Sequence, residues 1–232
     1  DVPELDSEIA VVIDVLRATT TISWALKNGA DSIQVFADLD LLKKTAQNWN
    51  PEKRLMLGER GGKKIGGFDL GNSPLSVTKD IVSGKRLFMS TTNGTKSLEK
   101  VQNVDHLFAM SLTNRKSVAD KIMSLKKKNI LILGSGWEGA YSLEDSLAAG
   151  ALASYLRENN ESEVKIMNDE LQASLALWEY WKNDILTCLK TATHGQRLTS
   201  LGDYEDDFKC CSELDRLNIV PTQVERGVLR AS

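Results

Sequence analysis

The stretch that decides the fold is residues 11–20, VVIDVLRATT. It begins as a run of β-branched residues, which is typical of a strand covered on both faces of a sheet. The run ends at Asp14, and Arg17 follows shortly before small and hydroxyl residues that begin a helical pattern. A buried strand that leads into a helix in this way places its polar residues at the edge of a sheet, where ligands bind. We therefore expect Asp14 and Arg17 to belong to a site that handles phosphate.

The alternation of strand and helix continues along residues 1–157. It indicates an α/β fold with a mostly parallel, or mixed, sheet and right-handed crossovers. Residues 158–232 are predicted to be mostly helical, with one long helix over 168–189, and to pack on this α/β body as one compact unit. A serine cap followed by a proline also predicts a helix over 73–83. The predicted strands are Ile9–Ile13, Ile33–Phe36, Leu55–Leu57, Arg86–Met89, His106–Met110 and Ile130–Leu133.

The composition is that of an ordinary globular protein, with 41% hydrophobic and 26% charged residues among 232. The net charge of -3 argues against a nucleic-acid or membrane-surface partner. The sequence contains no apolar run of about 18 residues, the length that predicts a membrane span. Three cysteines without a CxxC motif (Cys188, Cys210 and Cys211) indicate a reducing, cytoplasmic setting. The sequence starts at Asp1 rather than at a methionine, so we expect a segment to precede it.

Polar and charged residues gather where the predicted strands end. Ligands of parallel sheets bind at the carboxyl ends of the strands, so we expect these residues at one edge. Carboxylates without a histidine cluster favour Mg²⁺ over zinc, with Asp14, Glu144 and Asp145 as candidate ligands. The full set of candidates is Asp14, Arg17, Glu59, Arg60, Asn72, Thr91, Thr92, Asn93, Gly94, Thr95, Ser135, Glu144 and Asp145.

Each candidate also has a structural interpretation. Asp14 can cap the following helix or pair with Arg17, and residues 91–95 can form an Asn-Gly turn with a threonine cap. Leu16 stands where a haloacid-dehalogenase phosphatase needs a second aspartate, which argues against that family. The two histidines, His106 and His194, are interpreted as structural.

A second glycine-rich turn fits the GxGxxG spacing of dinucleotide-binding folds, at Gly134, Gly136 and Gly139. However, the next helix is signalled only at Ser142, and the next acid after a strand-like run is Asp169, 30 residues beyond Gly139. The ribose-binding acid of such folds is expected about 20 residues on. A dinucleotide-binding oxidoreductase is therefore the least favoured functional interpretation.

Several stretches occur in an order that is quite specific. They are VIDVLRATT (12–20), GER (58–60), FDLGNSP (68–74), TTNGT (91–95), SLED (142–145), Ala149-Gly150, His194-Gly195 and Arg197-Leu198, followed by Gly202, Asp207, Cys211, Asp215 and Val220-Pro221. Together they resemble the 2-phosphosulfolactate phosphatase family, the ComB-like proteins, over essentially the whole chain. Relatives often have Cys-Ala-Gly at the place of Gly134-Ser135-Gly136, so this chain offers no cysteine nucleophile there.

The resemblance implies a three-layer α/β/α fold and a Mg²⁺-dependent phosphatase. The implied substrate is 2-phosphosulfolactate, on the way to coenzyme M, or a similar 2-hydroxy acid phosphate. In this scheme Asp14 and Glu144 hold Mg²⁺ together with Asp145, while Arg17 neutralises the phosphoryl oxygens.

The remaining candidates have supporting roles in the same scheme. Glu59 is a general acid or base, Arg60 and Asn72 grip the carboxylate or sulfonate end, and Ser135 and the 91–95 turn contact the substrate. Direct attack by water and attack by Asp14 stay open, as does a homodimer. The competing function is a non-enzymatic anion-binding or regulatory protein on the same scaffold.

Overall fold

The computed structural model describes residues 8–160 and 164–232. Over these ranges the chain forms one nine-stranded sheet with helices on both faces. The predicted α/β class, with a mixed sheet and a helical C-terminal part, is confirmed. The strands are β1 (Ile9–Ile13), β2 (Ser32–Val35), β3 (Arg54–Arg60), β4 (Lys63–Lys64), β5 (Arg86–Ser90), β6 (His106–Met110), β7 (Ile130–Gly134), β8 (Pro221–Glu225) and β9 (Val228–Ala231).

Ten α-helices connect and cover these strands over the same described ranges. They are α1 (Ala18–Lys27), α2 (Leu39–Gln47), α3 (Lys79–Val82), α4 (Gly94–Lys100), α5 (Arg115–Leu125), α6 (Leu143–Asn159), α7 (Asp169–Trp181), α8 (Ile185–Thr191), α9 (Thr193–Leu201) and α10 (Glu205–Ser212).

Two predicted helices are broken in the structure. The helix expected over 73–83 consists of a short 3₁₀ turn, Pro74–Ser76, and the single turn of α3. The helix expected over 168–189 is divided into α7 and α8. The Asp184 side chain begins α8 by accepting a hydrogen bond from the Thr187 N–H at 3.3 Å. A carboxylate that caps a new helix in this way favours a break over continuation of the previous one.

A hairpin of β8 and β9 lies in the middle of the sheet, although it belongs to residues 158–232, which are predicted to be mostly helical. The strand order is β4-β3-β5-β2-β9-β8-β6-β1-β7. Strands β3, β5 and β2 are parallel, and so are β6, β1 and β7. The three pairings that join these groups are antiparallel, so β2 and β6 run in opposite senses across the sheet.

Strand β1 shows that both faces of the sheet are covered. Its five residues are all fully buried, as expected for a strand between two helical layers. Side chains of Ile9, Val11 and Ile13 face the core under α5 and α6, whereas Ala10 and Val12 face the core under α1. The same α1 core includes residues from both parallel groups, among them Leu87 of β5.

The sheet curves strongly enough to bring its two parallel groups together. Strands β1 and β5 are five steps apart in the sheet, which would separate them by ~24 Å if the sheet were flat. A β-carbon added at Gly94, four residues after β5, would nevertheless lie 2.6 Å from Asp14 Oδ2. Four residues span at most about 14 Å. The strand ends thus converge by curvature around α1, and not along the single parallel edge expected from the sequence.

Candidate active site

A cleft, partly open to solvent, lies where these strand ends converge. Six segments contribute to it: the β1–α1 link, the end of β3 with the turn that follows, the loop after β4, the turn after β5, the loop after β7, and α9. The lining residues are Asp14, Leu16, Arg17, Glu59, Gly61, Gly62, Asn72, Thr92, Asn93, Trp137, Glu138, His194, Arg197, Leu198 and Leu201.

Asp14 is the carboxylate at the end of β1, and only 7% of it is exposed. Its Oδ1 accepts a hydrogen bond of 3.0 Å from the Ala18 N–H at the start of α1. Burial raises the pKa of Asp14 to about 6; the Ala18 N–H and His194 oppose this increase, while Glu59 and Glu144 add to it. Within the described ranges, Oδ2 accepts no hydrogen bond. Asp14 therefore caps the helix with one oxygen and keeps the other for a ligand.

The turn at residues 91–95 has an inner and an outer part. Thr91 and Thr95 are buried and bond to each other, with Thr91 Oγ1 accepting from the Thr95 N–H at 3.2 Å and Thr95 Oγ1 accepting from the Thr91 N–H at 3.1 Å. Thr92 and Asn93 line the cleft instead. Gly94 packs against the Asp14 carboxylate at a distance that leaves no space for a side chain. The turn therefore positions Asp14 and brings two polar residues into the cleft.

Glu59 joins the glycine-rich loop to this turn. Its Oε1 accepts from the Thr92 N–H at 2.7 Å. Its Oε2 accepts from the Gly62 N–H at 2.8 Å and from the Thr92 hydroxyl at 3.2 Å. Both carboxylate oxygens are thus occupied, which gives Glu59 the geometry of a positioning group in the cleft wall.

Arg17 is a buried cation in the cleft, 4% exposed. Its Nη1 donates to Asp207 Oδ2, and its guanidinium lies 4.6 Å from the centre of the Tyr204 ring. The second oxygen of Asp207 accepts a hydrogen bond of 2.6 Å from Ser73 Oγ. Residues near α10 therefore hold the arginine that follows β1, so this part of the site depends on the C-terminal helices.

Glu144 and His194 form a pair beside Asp14. His194 Nδ1 lies 3.0 Å from Glu144 Oε1, and the imidazole stacks on the Trp137 ring with the centroids 5.8 Å apart. Glu144 is 1% exposed, and its Oε2 has no hydrogen-bond partner among the described residues. A carboxylate that binds one imidazole nitrogen fixes the ring and its tautomer. His194, interpreted from sequence as structural, thus lies in the cleft wall.

Asp145 differs from its neighbour because both of its oxygens bind backbone. Oδ1 accepts from the Val15 N–H at 2.9 Å, and Oδ2 accepts from the Gly136 N–H at 3.1 Å. Burial raises the pKa of Asp145 well above its usual range, and the charges of Glu144 and Asp14 raise it further. Its geometry suits a role in holding the β1–α1 link against the loop after β7.

Three other candidates occupy different surroundings. Arg60 points away from the cleft lining, since its guanidinium donates to Ser90 Oγ at 2.8 Å and to the Glu59 carbonyl at 2.7 Å. Ser135 does not line the cleft, and its buried hydroxyl has no partner among the described residues. Asn72 does line the cleft, and its Oδ1 is likewise buried without a partner in the described part of the chain.

The GxGxxG turn is not arranged as a phosphate-binding loop at a helix start. Residues Trp137 and Ala140 exchange two backbone hydrogen bonds of 3.1 and 2.9 Å, which close the loop on itself. Helix α6 begins only at Leu143, capped by Ser142. The geometry therefore does not favour the dinucleotide interpretation.

The side chains around the cleft include oxygen donors of the kind that Mg²⁺ requires. Asp14 Oδ2, Asn72 Oδ1 and Glu144 Oε2 receive no hydrogen bond from residues 8–160 or 164–232. No cluster of three or more His, Cys, Asp or Glu side chains in those ranges could hold a metal by itself. Mg²⁺ usually takes only one or two carboxylates together with water and substrate phosphate. Asp14, Asn72 and Glu144 thus offer oxygens of the type that Mg²⁺ takes, and water and substrate phosphate would complete its coordination.

Sequence reasoning missed the contribution of α9. His194, Arg197, Leu198 and Leu201 all line the cleft. Their spacing (i, i+3, i+4, i+7) places them on one face of a helix, and this pattern was the available signal. Asp207 and Tyr204 were also missed as partners of Arg17, because nothing local predicts a contact across 190 residues.

The fold and the cleft together define an α/β protein with a cleft that contains carboxylates and is lined on one side by the C-terminal helix α9. The family model for 2-phosphosulpholactate phosphatase matches residues 2–226. The chain belongs to this family, whose members act on a phosphate monoester.

Relatives named probable 2-phosphosulfolactate phosphatase match over almost their full length. A protein of Prochlorococcus marinus is 64% identical over 230 residues, which cover 99% of this chain and 95% of the relative. A Synechococcus protein is 55% identical over 236 residues, covering 100% and 95%. A Synechocystis protein is 50% identical over 225 residues, covering 97% and 92%. Among the described residues, no helix combines the length and the apolar character that crossing a membrane would require.

Proposed function

We propose that this protein is a Mg²⁺-dependent phosphatase that hydrolyses 2-phosphosulfolactate, or a similar 2-hydroxy acid phosphate, to the hydroxy acid and phosphate. The family membership supports this proposal. The observation that carries it in the structure is the convergence of Asp14, Arg17 and His194 in one cleft, with Glu144 bound to the imidazole of His194. Phosphate monoester hydrolysis needs a carboxylate to hold a metal ion, a cation to neutralise the phosphoryl oxygens and a group that transfers protons. Asp14, Arg17 and His194 supply these in turn.

Arg17 binds the phosphoryl group in this proposal. A guanidinium has five N–H donors, and the hydrogen bond to Asp207 uses one nitrogen of the group. The donors that remain can neutralise phosphoryl oxygens, and the fixed position of the side chain avoids an ordering cost when the substrate binds. The stacking on Tyr204 limits the guanidinium further.

His194 carries the proton. With Nδ1–H donating to Glu144, the other ring nitrogen of a neutral imidazole is an acceptor. It takes a proton from the water that attacks phosphorus and returns a proton to the alkoxide released when the ester P–O bond breaks. Histidine is the side chain best suited to both transfers near neutral pH.

Asp14 and Glu144 are the residues that would hold Mg²⁺, with Asn72 Oδ1 as a further oxygen donor. When bound, the ion would supply charge neutralisation at the phosphoryl oxygens. Asp145 and Glu59 position these groups through the backbone contacts described above.

The test is phosphate release from 2-phosphosulfolactate and 2-phospholactate by the purified protein, with EDTA and after Mg²⁺ is restored. We expect turnover that EDTA abolishes and Mg²⁺ recovers, and that Asp14→Asn abolishes. Asp80→Asn, an exposed change, is the control and should keep full activity. Tight binding of both compounds without turnover would instead support the anion-binding interpretation.

We also propose that the protein works in a reducing, cytoplasmic setting. The three cysteines are unpaired thiols and are buried. Burial raises the pKa of Cys188 and of Cys210 to about 12, so both side chains stay in the unreactive thiol form. Expression with a periplasmic leader tests this proposal. If the protein folds natively in that oxidising compartment and keeps all three free thiols, its cysteines give no support for a reducing setting.

A further inference from the structure

The cleft contains a second arginine, Arg197, whose role the proposed function does not assign. Arg17 is already compensated by Asp207, whereas Arg197 makes no side-chain hydrogen bond or ion pair with any residue that the structure describes. Arg60, which the sequence suggested for the non-reacting end of the substrate, donates to Ser90 and the Glu59 carbonyl instead. Arg197 is therefore the cleft arginine that is free to accept an anionic group.

Helix α9 is fixed on both sides of Arg197. On one side, His194 is bound to Glu144 and stacked on Trp137. On the other side, Leu201 packs so closely on Gly62 that a β-carbon there would lie 2.6 Å from Leu201 Cδ1. Arg197 lies on the helix face between these two anchors, so the position from which its side chain extends into the cleft is set by the fold.

The spacing along α9 matches the shape of a substrate with two charged ends. Residues i and i+3 of a helix have side chains about 5–6 Å apart at their bases. His194 and Arg197 are related in this way. A phosphate ester on one carbon and an oxyanion on the next are separated by only a few bonds, which is a similar span. A ligand whose phosphate faces Asp14, Arg17 and His194 can thus present a neighbouring oxyanion to Arg197.

We propose that Arg197 determines substrate specificity by binding a second oxyanion, a carboxylate or sulfonate, on the carbon next to the phosphate ester. This inference rests on the proposed function and assigns the residue that selects its substrates, which are organic phosphates that carry an adjacent acid. The planar guanidinium suits such groups because it donates two parallel hydrogen bonds. Phosphate monoesters without a second acidic group lack the oxyanion that Arg197 binds.

The test compares three substrates with the wild type, Arg197→Met and Arg197→Lys. The substrates are 2-phosphosulfolactate, 2-phospholactate, which lacks the sulfonate, and p-nitrophenyl phosphate, which has no second acid. We expect Arg197→Met to raise KM for an acid phosphate roughly 10- to 100-fold, the usual effect of losing a charged hydrogen bond, with kcat nearly unchanged. Kinetics with p-nitrophenyl phosphate should not change, and Arg197→Lys should recover part of the loss. Arg226→Met, an exposed arginine on the β8–β9 turn, is the matched control.

The two acid phosphates distinguish the group that is bound. An effect on both assigns Arg197 to the carboxylate, and an effect on 2-phosphosulfolactate alone assigns it to the sulfonate. Equal losses on all three substrates, or an unchanged KM, would overturn the inference. If the wild type turns over neither acid phosphate, the proposed function fails, and calorimetric binding of 2-phosphosulfolactate still tests Arg197. Binding that Arg197→Met weakens then supports its role, while unaffected or absent binding overturns it.

Discussion

His194 Nδ1 and Glu144 Oε1 are 3.0 Å apart, which joins α9 to the start of α6 across 50 residues. His194 lines a cleft that also contains Asp14, and Glu144 is buried next to the imidazole. The acidic side chain holds the ring in one orientation, so the chemical function of the histidine depends on a contact between distant parts of the chain.

We predict that His194→Gln lowers kcat by about 10²–10⁴, the usual contribution of general acid–base catalysis, with a smaller change in KM. Steady-state phosphate release measures both constants. The matched control is His106→Gln, since His106 stacks on Phe108 of β6 and does not line the cleft. If His194→Gln kept more than half of the wild-type kcat, the proton-carrying role would be wrong.

We predict that Gly94→Ala inactivates the enzyme while the protein stays folded. The new β-carbon would lie 2.6 Å from both Asp14 Oδ2 and Ala18 Cβ, so the carboxylate must move. A displacement of this kind at a reacting centre can lower the rate about 10²-fold. Gly66→Ala is the control, because a β-carbon there meets nothing within 4 Å. Circular dichroism checks the fold, and equal activity of the two variants would contradict the prediction.

We predict that Asp207→Asn lowers both the stability and kcat/KM. Removing one partner of a buried ion pair leaves the Arg17 charge unpaired, which typically costs about 3–5 kcal/mol, and the guanidinium loses its fixed position. Urea unfolding and phosphate release measure the two effects. Asp206→Asn removes an exposed carboxylate that pairs with Lys209 and should change neither. Wild-type kinetics in Asp207→Asn would show that the pairing does not position Arg17.

We predict that Asp14→Asn stabilises the metal-free protein above about pH 6. Burial raises the pKa of Asp14 to about 6 from an ordinary value near 4, so the folded state binds the proton more tightly than the unfolded state. Wild-type stability therefore decreases as the pH rises from about 4 to about 6, by up to roughly 3 kcal/mol, and then levels off. Asparagine does not ionise and escapes this decrease.

Urea unfolding in EDTA at pH 4.5 and 7, near the start and beyond the end of this decrease, measures the effect. The stability gain of Asp14→Asn should be larger at the higher pH, whereas Asp80→Asn should show little change between the two. A gain that is the same at both pH values would mean that ionisation of Asp14 does not oppose folding.

The sequence was sufficient for the elements whose signals are local. The run that ends at Asp14 predicts β1 and the start of α1, because a buried strand and a capped helix each have a distinct pattern. The α/β class follows from repetition of that pattern. The acidic candidates Asp14 and Glu144 could be found for the same reason, since both lie beside a strand end or a helix start.

The β8–β9 hairpin could not be predicted from the sequence, because its residues carry a weak local signal. Strand β8 reads PTQVE, and only Pro221 in it is buried. Its place in the middle of the sheet comes from pairing with β6 on one side and β9 on the other. Strand pairing between distant segments depends on tertiary context that propensity does not contain.

The contacts of the arginine side chains also depend on tertiary context that the sequence does not reveal. Arg60 adjoins a glycine-rich loop and was the natural candidate to bind the far end of the substrate. The direction of β3 sends its guanidinium to Ser90 instead. The helical spacing of Arg197 with His194 and Leu201 does not show what that helix face contacts, which depends on the packing of α9 against the loop at Gly62.

The position of β9 also determines when the sheet can be completed during synthesis. Strand β9 pairs with β2, and β8 pairs with β6, so the two parallel groups are joined only through residues 221–231. A nascent chain that has not yet reached these residues carries two half-sheets with unpaired inner edges, which are prone to association with other chains. The protein therefore reaches its native sheet only after these residues have emerged from the ribosome, and its exposure to chaperones during translation should be correspondingly long.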